Sequence, residues 1–410
     1  MTRTDSDPDI AAKNKRRLSK RARTRIKRFS LVLAGVLIFA FGMNVGSGRI
    51  TFTGQTANQK SLPASLDFTA VQEVYKQLKA NFDGELDANS LNEGMKRGLV
   101  KAAGNPYTEY LTAKEYQEFN NELSGSFTGI GAELTKDDKD NIIVLAPIAG
   151  FPAEKAGLKP KDIVAEVDGT STNGLSVSEV VDKIRGPKDT TVKLKIVRDG
   201  QVSDVTITRQ DISIPSVESK IVNNIGYLKI SRFGDDTTDL AKKAAQDFKN
   251  NNVKGVVLDV RSNPGGLLDS AVDVSSLWLP SGKTVLTERR DGVVTSTFKA
   301  SGESPLQGIP TVVLIDEGSA SASEIVAGAL KDQGAATLIG QKSYGKGSVQ
   351  QLIKLNDGGV LKVTIARWFT PNGKNIDKAG ITPDKVVEIS SEQIKNQQDP
   401  QKDAAFQALQ

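Results

Sequence analysis

The 410-residue chain is long enough for two or three domains and has an ordinary globular composition, 38% hydrophobic and 25% charged. It contains no cysteine and no histidine, which excludes disulfides, thiolate nucleophiles, Cys- or His-ligated metals, a Ser-His-Asp triad and an imidazole proton shuttle. Acid–base chemistry near neutral pH is left to Lys, Asp, Glu or Tyr held away from their ordinary pKa values. The net charge of +5 is local: residues 1–28 hold 11 Lys/Arg and 3 Asp, a charge of +8, so the rest carries about −3. A basic excess confined to one tail does not describe a nucleic-acid-binding domain, and no nucleic-acid partner is expected.

The basic tail, 1–28, runs into the apolar FSLVLAGVLIFAFGMNV. Residues 29–46 are about as long as the shortest membrane-spanning helix, and the positive flank predicts a cytoplasmic N-terminus with all that follows outside the cell membrane. The segment exceeds a usual signal-peptide core and no A-x-A-like site follows, so we read a single-pass transmembrane signal-anchor. A linker, 47–65, leads to 66–123, where Phe68, Val71, Val74, Tyr75, Leu78 and Phe82 form one helical stripe and Leu91, Met95, Leu99 and Val100 another. A helical packing region is expected there; a homodimer contact is the other use of such a surface.

Residues 124–210 carry GIGAEL, the strand IIVLAPI, the short helix PAEKAGL and the strand IVAEV closed by Asp168-Gly169. A helix from Ser176 to Arg185 and a hairpin turning at Asp199-Gly200 follow. From 211 to 390 the pattern becomes α/β, with GYLKIS as a strand and GVVLDVR and TVVLIDE as strands apolar enough to be buried. SNPGGLLDSAV and GSASASEIVAGAL read as tight turns opening helices, and SVQQLIKL with VLKVTIARWFT as a hairpin. Residues 391–410, rich in Gln, Asp and Lys, read as a loosely held polar tail.

DEGSASASE, Asp316 to Glu324, joins a buried strand to a helix through small residues, which exposes a side chain at the carboxyl edge of a sheet beside unpaired helix N-terminal amides. Ser321 with Glu324 also fits the capping-box pattern S-x-x-E, so helix capping competes with nucleophilic attack. A serine nucleophile needs a base, and with no histidine a neutral lysine is the candidate. Lowering an amine from about 10.4 by about three pH units costs about 4 kcal/mol, which demands a dry pocket. Lys346 in SYGKGSV, between two glycines and ahead of an apolar run, suits one. Gly340 to Lys346 also begins a phosphate-binding loop, but Gly347 stands where Ser or Thr belongs and a strand follows where a helix should.

The 124–210 block resembles a PDZ domain. The resemblance implies that Gly129, Ile130, Gly131 and Ala132 form the carboxylate-binding loop and that a peptide adds to the sheet edge; Ala132 stands where an aromatic is more usual. From Leu66 to Glu388 the chain resembles the C-terminal processing peptidases, on DVRSNPGG, GSASASEI and SYGKGSVQ. Together with the anchor read above, that resemblance implies an α/β (α+β) multidomain protein: one transmembrane helix, then a helical N-terminal region and a PDZ domain before a crotonase-like peptidase core. It further implies Ser321 as nucleophile, Lys346 as general base and Gln350 as the residue orienting the lysine. The oxyanion donors would be the amides of Ala322 and Gly265, with Gly266 the alternative. Arg185 is a candidate regulatory link, its plain alternative being a cation at a helix C-terminus. The expected partners are protein substrates with exposed C-termini, and neither metal nor organic cofactor is required. Two rivals are a catalytically silent, membrane-tethered PDZ scaffold and a crotonase-like thioester enzyme.

Overall fold

The structure, a computed structural model, describes residues 62–63 and 65–410. The basic tail, the 29–46 segment and nearly all of the linker lie outside these residues; among the described ones no helix is long and apolar enough to cross a membrane. The chain divides into two units at Phe82 and Asp83. In the first, helix α1 (Thr69–Asn81) leaves its apolar stripe in solvent, with Phe68, Val74 and Phe82 each more than half exposed.

The second unit begins with α2 (Ala88–Lys101), β1 (Glu109–Leu111) and α3 (Ala113–Ser124). Reading 66–123 as helical throughout needs a correction at β1. Pro106 cannot continue α2, and the chain after it extends and pairs antiparallel with residues 360–362, burying Tyr110.

The PDZ-like module comprises β2 (Ser126–Gly129), β3 (Ala132–Lys136), β4 (Ile142–Pro147), α4 (Pro152–Lys155), β5 (Ile163–Val167), β6 (Thr170–Ser171), α5 (Val177–Ile184), β7 (Thr191–Arg198), β8 (Gln201–Thr208) and β9 (Gln210–Ser213). Its main sheet runs β3-β4-β5-β7-β8. Strand β7 shows the period-two logic: Val192, Leu194 and Ile196 enter the core while Thr191 and Lys193 face solvent. Both Asp-Gly turns place two successive residues at positive φ, as type I′ hairpins require. Strand β3 lies at the sheet edge beside α5. Strand β2 pairs with β9, where the chain enters and leaves the module.

The remaining core is β10 (Val217–Val222), β11 (Ile225–Ile230), α6 (Thr237–Asn250), β12 (Gly255–Asp259), α7 (Leu268–Ser275), β13 (Thr284–Arg290), β14 (Val293–Lys299), β15 (Thr311–Ile315), α8 (Ala322–Asp332), β16 (Thr337–Gly340), β17 (Ser348–Lys354), β18 (Val360–Phe369), β19 (Lys385–Val386), α9 (Ser391–Lys395) and α10 (Pro400–Ala408). One sheet has the order β10-β11-β12-β15-β16-β19 and is parallel from β11 onward. Every residue of β12 and β15 is buried, as unbroken apolar runs predict. A second sheet joins β1-β18-β13-β14, with β17 also on β18. Helices α6, α7 and α8 pack against one face of the parallel sheet.

The C-terminal segment corrects the expectation of a loose tail. The opposite sheet face presents Tyr227, Val257, Val312, Leu314 and Ile339, and α10 covers it, burying Ala405 completely. Phe406 stacks on Tyr227 with ring centres 6.3 Å apart. Arg261 donates to both carboxylate oxygens of Asp399, at 2.8 Å each. An apolar sheet face needs a cover whatever the composition of its neighbours.

Candidate active site

Three adjacent parallel strands deliver three loops at their carboxyl ends. Strand β12 leads to Arg261–Gly266, β15 to Asp316–Ser321 and β16 to Gln341–Lys346. These converge on a cleft of about 420 Å³ whose lining includes Gly265, Gly266, Ser321, Lys346 and Gln350, with Leu268, Ile325, Val349 and Trp368 as apolar wall.

Ser321 heads α8 with φ 52° and ψ −112°. A non-glycine residue there costs about 1–3 kcal/mol and must be held by its surroundings. Ala320 N–H and Ser323 Oγ both donate to Asn263 O, at 3.0 and 2.9 Å, and Ser319 Oγ donates to Val260 O at 2.7 Å. The capping box is drawn in outline, but at hydrogen-bonding geometry only one arm closes. Ser321 N–H donates to Glu324 Oε2 at 2.9 Å, while the Ser321 hydroxyl makes no cap hydrogen bond. The hydroxyl stays free for other chemistry.

Glu324 is completely buried and takes four donors. Oε1 accepts from Ser343 Oγ at 2.6 Å and Gly345 N–H at 2.8 Å; Oε2 accepts from Ser321 N–H and Lys346 N–H, each at 2.9 Å. Burial pushes its carboxyl above the ordinary range, against the pull of the Ser343 hydroxyl and the three amides.

Burial lowers the Lys346 ammonium's pKa, and the charge of Lys362 acts in the same direction, against Glu109 and Glu324. Its Nζ makes no hydrogen bond among the described residues and lies 5.5 Å from the centre of the Tyr107 ring. Ser321 and Lys346 therefore share a cleft and a backbone anchor without a hydrogen bond between their side chains. Gln350 is not aimed at the lysine as expected: its Nε2 donates to Ser348 Oγ at 2.7 Å, a partner two residues away on the same strand.

The choice of Gly265 as an oxyanion donor is also corrected. Its N–H donates to Asn263 Oδ1 at 2.9 Å and is spent. Among the described residues the amides of Gly266 and Ala322 have no partner. Residue 265 serves by lacking a side chain: at φ 105°, a Cβ there would stand 2.7 Å from Ser321 Cβ.

A second groove, of about 360 Å³, lies between β3 and α5 and is lined by Leu134, Val181 and Ile184, with Gly129, Ile130, Gly131 and Ala132 also on its wall. The carbonyls of Ile130 and Gly131 are tied back to Ala153 and Ile148 N–H, while the amides of Ile130 and Gly131 have no partner among the described residues. Arg185, at the C-terminal end of α5, places its guanidinium 4.9 Å from the centre of the Phe127 ring.

Comparison with known proteins identifies the two domains. The model of peptidase family S41 matches residues 224–387, and that of the PDZ domain residues 121–197. A probable CtpA-like serine protease of Staphylococcus haemolyticus is 37% identical over 387 residues, covering 93% of this chain and 77% of that protein. Its counterpart in Staphylococcus aureus MSSA476 is 36% identical over 380 residues, covering 92% and 76%. The chain belongs to the C-terminal processing peptidases of family S41. A solved structure, a putative S41 protease of Bacteroides fragilis, shares the fold at a TM-score of 0.55 and 18% identity, covering 85% of this chain and 98% of that one.

In this serine peptidase four residues in or around the cleft were not legible beforehand. Glu324 reads in sequence as a helix cap only. Tyr107 and Glu109 come from GNPYTEYL, inside the stretch whose spacing reads as helical. Arg232 lines the cleft and donates to Ser124 O at 3.1 Å and Ile214 O at 2.7 Å, the two points where the chain crosses between PDZ domain and core. No local pattern marks Arg232.

Proposed function

We propose that this peptidase is a membrane-anchored endopeptidase that captures the C-terminal ends of unfolded or tagged extracytoplasmic proteins and cleaves them with a Ser321/Lys346 dyad. The observation that carries the reading is that one Glu324 oxygen anchors the backbones of both residues at the rim of a single cleft. Ser321 Oγ attacks the scissile carbonyl carbon as its proton passes to neutral Lys346 Nζ. The amides of Gly266 and Ala322 receive the oxyanion, each donor contributing on the order of 10²–10³ in rate. Collapse expels the amine, which takes the proton from Lys346, and water repeats the sequence on the acyl-enzyme. Gln350, in the same cleft, orients the lysine once the substrate closes the site around both.

In the PDZ groove the free amides of Ile130 and Gly131 suit a terminal carboxylate, and the edge of β3 suits an added strand. Arg185 lines the groove beside Phe127, and Arg185→Ala is expected to slow cleavage by more than it weakens peptide binding. The apolar face of α1 fits a second copy of itself in a homodimer; a single-copy mass in light scattering would remove that part. The anchor rests on the 29–46 segment, and release of the full-length chain from membranes by carbonate wash would count against it.

The decisive experiment incubates residues 50–410 with a protein ending in an unstructured apolar segment and maps products by mass spectrometry. Cleavage lost in Ser321→Ala and Lys346→Ala supports the dyad; cleavage surviving in Lys346→Ala refutes it.

A further inference from the structure

The cleft contains a second lysine that the proposed chemistry does not use. Lys362 lies on β18, lines the same cavity as Lys346, and has a side chain only 16% exposed. Strand pairing sets Glu109 of β1 directly opposite it, and the two side chains form an ion pair. The Phe119 ring of α3 lies beneath its ammonium at 5.2 Å. Lys346 Nζ, by contrast, has no acceptor within hydrogen-bonding distance among the described residues and only the face of Tyr107 for company.

Two ammonium groups lining one cavity repel, which weighs against both holding a proton at once. Lys362 has a counterion, and Lys346 has no ion pair among the described residues. The other charged groups do not change that contrast. Glu324 is engaged by four donors, and Arg232 bonds Ser124 O, Ile214 O and Asp236. Glu122 of α3 lies on the cavity rim with no ion pair to either lysine among the described residues. We propose that Lys362, held in place by its ion pair with Glu109, is a positioning residue for catalysis that acts on the Lys346 amine across the cavity they share. This rests on the reading of Lys346 as general base.

The test measures kcat/KM against pH together with the rate at which acetic anhydride labels Lys346, followed by mass spectrometry in a Ser321→Ala background. Only the neutral amine reacts, so labelling reports the protonation of Lys346 without any need for activity. In Lys362→Met both the acid limb of kcat/KM and the labelling midpoint are expected to move up by about half to one pH unit. Lys362→Arg keeps the wild-type profile, a rescue that loosened packing does not produce. A labelling midpoint unmoved in folded Lys362→Met overturns the inference. Cleavage persisting in Lys346→Ala overturns the dyad instead, so the two failures are separable.

Discussion

Ser321 and Lys346 donate their backbone amides to the same atom, Glu324 Oε2, each at 2.9 Å. The turn bearing Ser321 and the loop bearing Lys346 come from different strands, and this carboxylate registers one against the other together with the Tyr344 N–H, which donates to Ser319 O at 3.0 Å. Both of its oxygens accept from a backbone N–H, so in Glu324→Gln the new NH₂ faces a donor in either orientation. The expected cost is about 1–3 kcal/mol of stability with turnover reduced at least about tenfold. Peptide affinity of the PDZ groove is expected to hold, so denaturant unfolding, turnover and peptide titration together distinguish misregistration from general unfolding.

The lysine itself should cost stability. Burial and Lys362 hold the Lys346 pKa below the ordinary 10.5. Between the lowered folded value and 10.5 the unfolded chain keeps a proton on this amine that the folded chain gives up. Stability therefore rises with pH across that window and is reduced below it. Lys346→Met removes the titrating group and keeps the apolar stem, so it is expected to raise the melting temperature at neutral pH while abolishing cleavage. Thermal unfolding of both proteins from about pH 6 to about pH 10 checks this; a gap between them that does not narrow as pH rises contradicts it.

The turn bearing Gly265 and Gly266 gives a prediction at one atom. A Cβ at residue 265 would sit 2.7 Å from Ser321 Cβ and 2.8 Å from Ala320 O. Gly265→Ala must push the turn away from the nucleophile, carrying the Gly266 amide with it. Loss of one donor is expected to lower kcat by on the order of 10²–10³, with KM and PDZ peptide binding little changed. The rate of Ser321 labelling by a fluorophosphonate is expected to fall in parallel, and an undiminished rate would exclude Gly266 as a donor.

The parts of this protein legible in its sequence are those fixed by local pattern. Unbroken apolar runs marked β12 and β15, the Asp-Gly pairs marked two hairpins, and small-residue turns marked the loops bearing Ser321 and Lys346. What stayed hidden depends on long-range partners or on rotamers. Whether Gly265 or Gly266 offers a free amide turns on the Asn263 side chain folding back onto its own loop. That GNPYTEYL becomes a strand depends on β18, which lies far along the chain and offers it an edge. Gln350 keeps its expected position in the cleft, but its hydrogen bond goes to Ser348, a choice made by rotamer rather than by spacing.

The docked C-terminal helix should matter to catalysis as well as to stability. Ala405 is fully buried against the sheet face that carries Tyr227 and Leu314. Asp399, just ahead of the helix, pairs with Arg261, which stands at the start of the loop containing Gly265 and Gly266. Ala405→Glu places an unpaired charge in that interface and is expected to cost about 3 kcal/mol. Undocking α10 takes Asp399 away from Arg261 and leaves Asp259 as its carboxylate partner, so turnover is expected to fall further than the folded fraction does, whereas peptide binding at the PDZ groove persists. Hydrogen exchange following the amides of residues 261–266 reads the link directly: protection unchanged there, with α10 undocked, would show that the helix only seals the sheet.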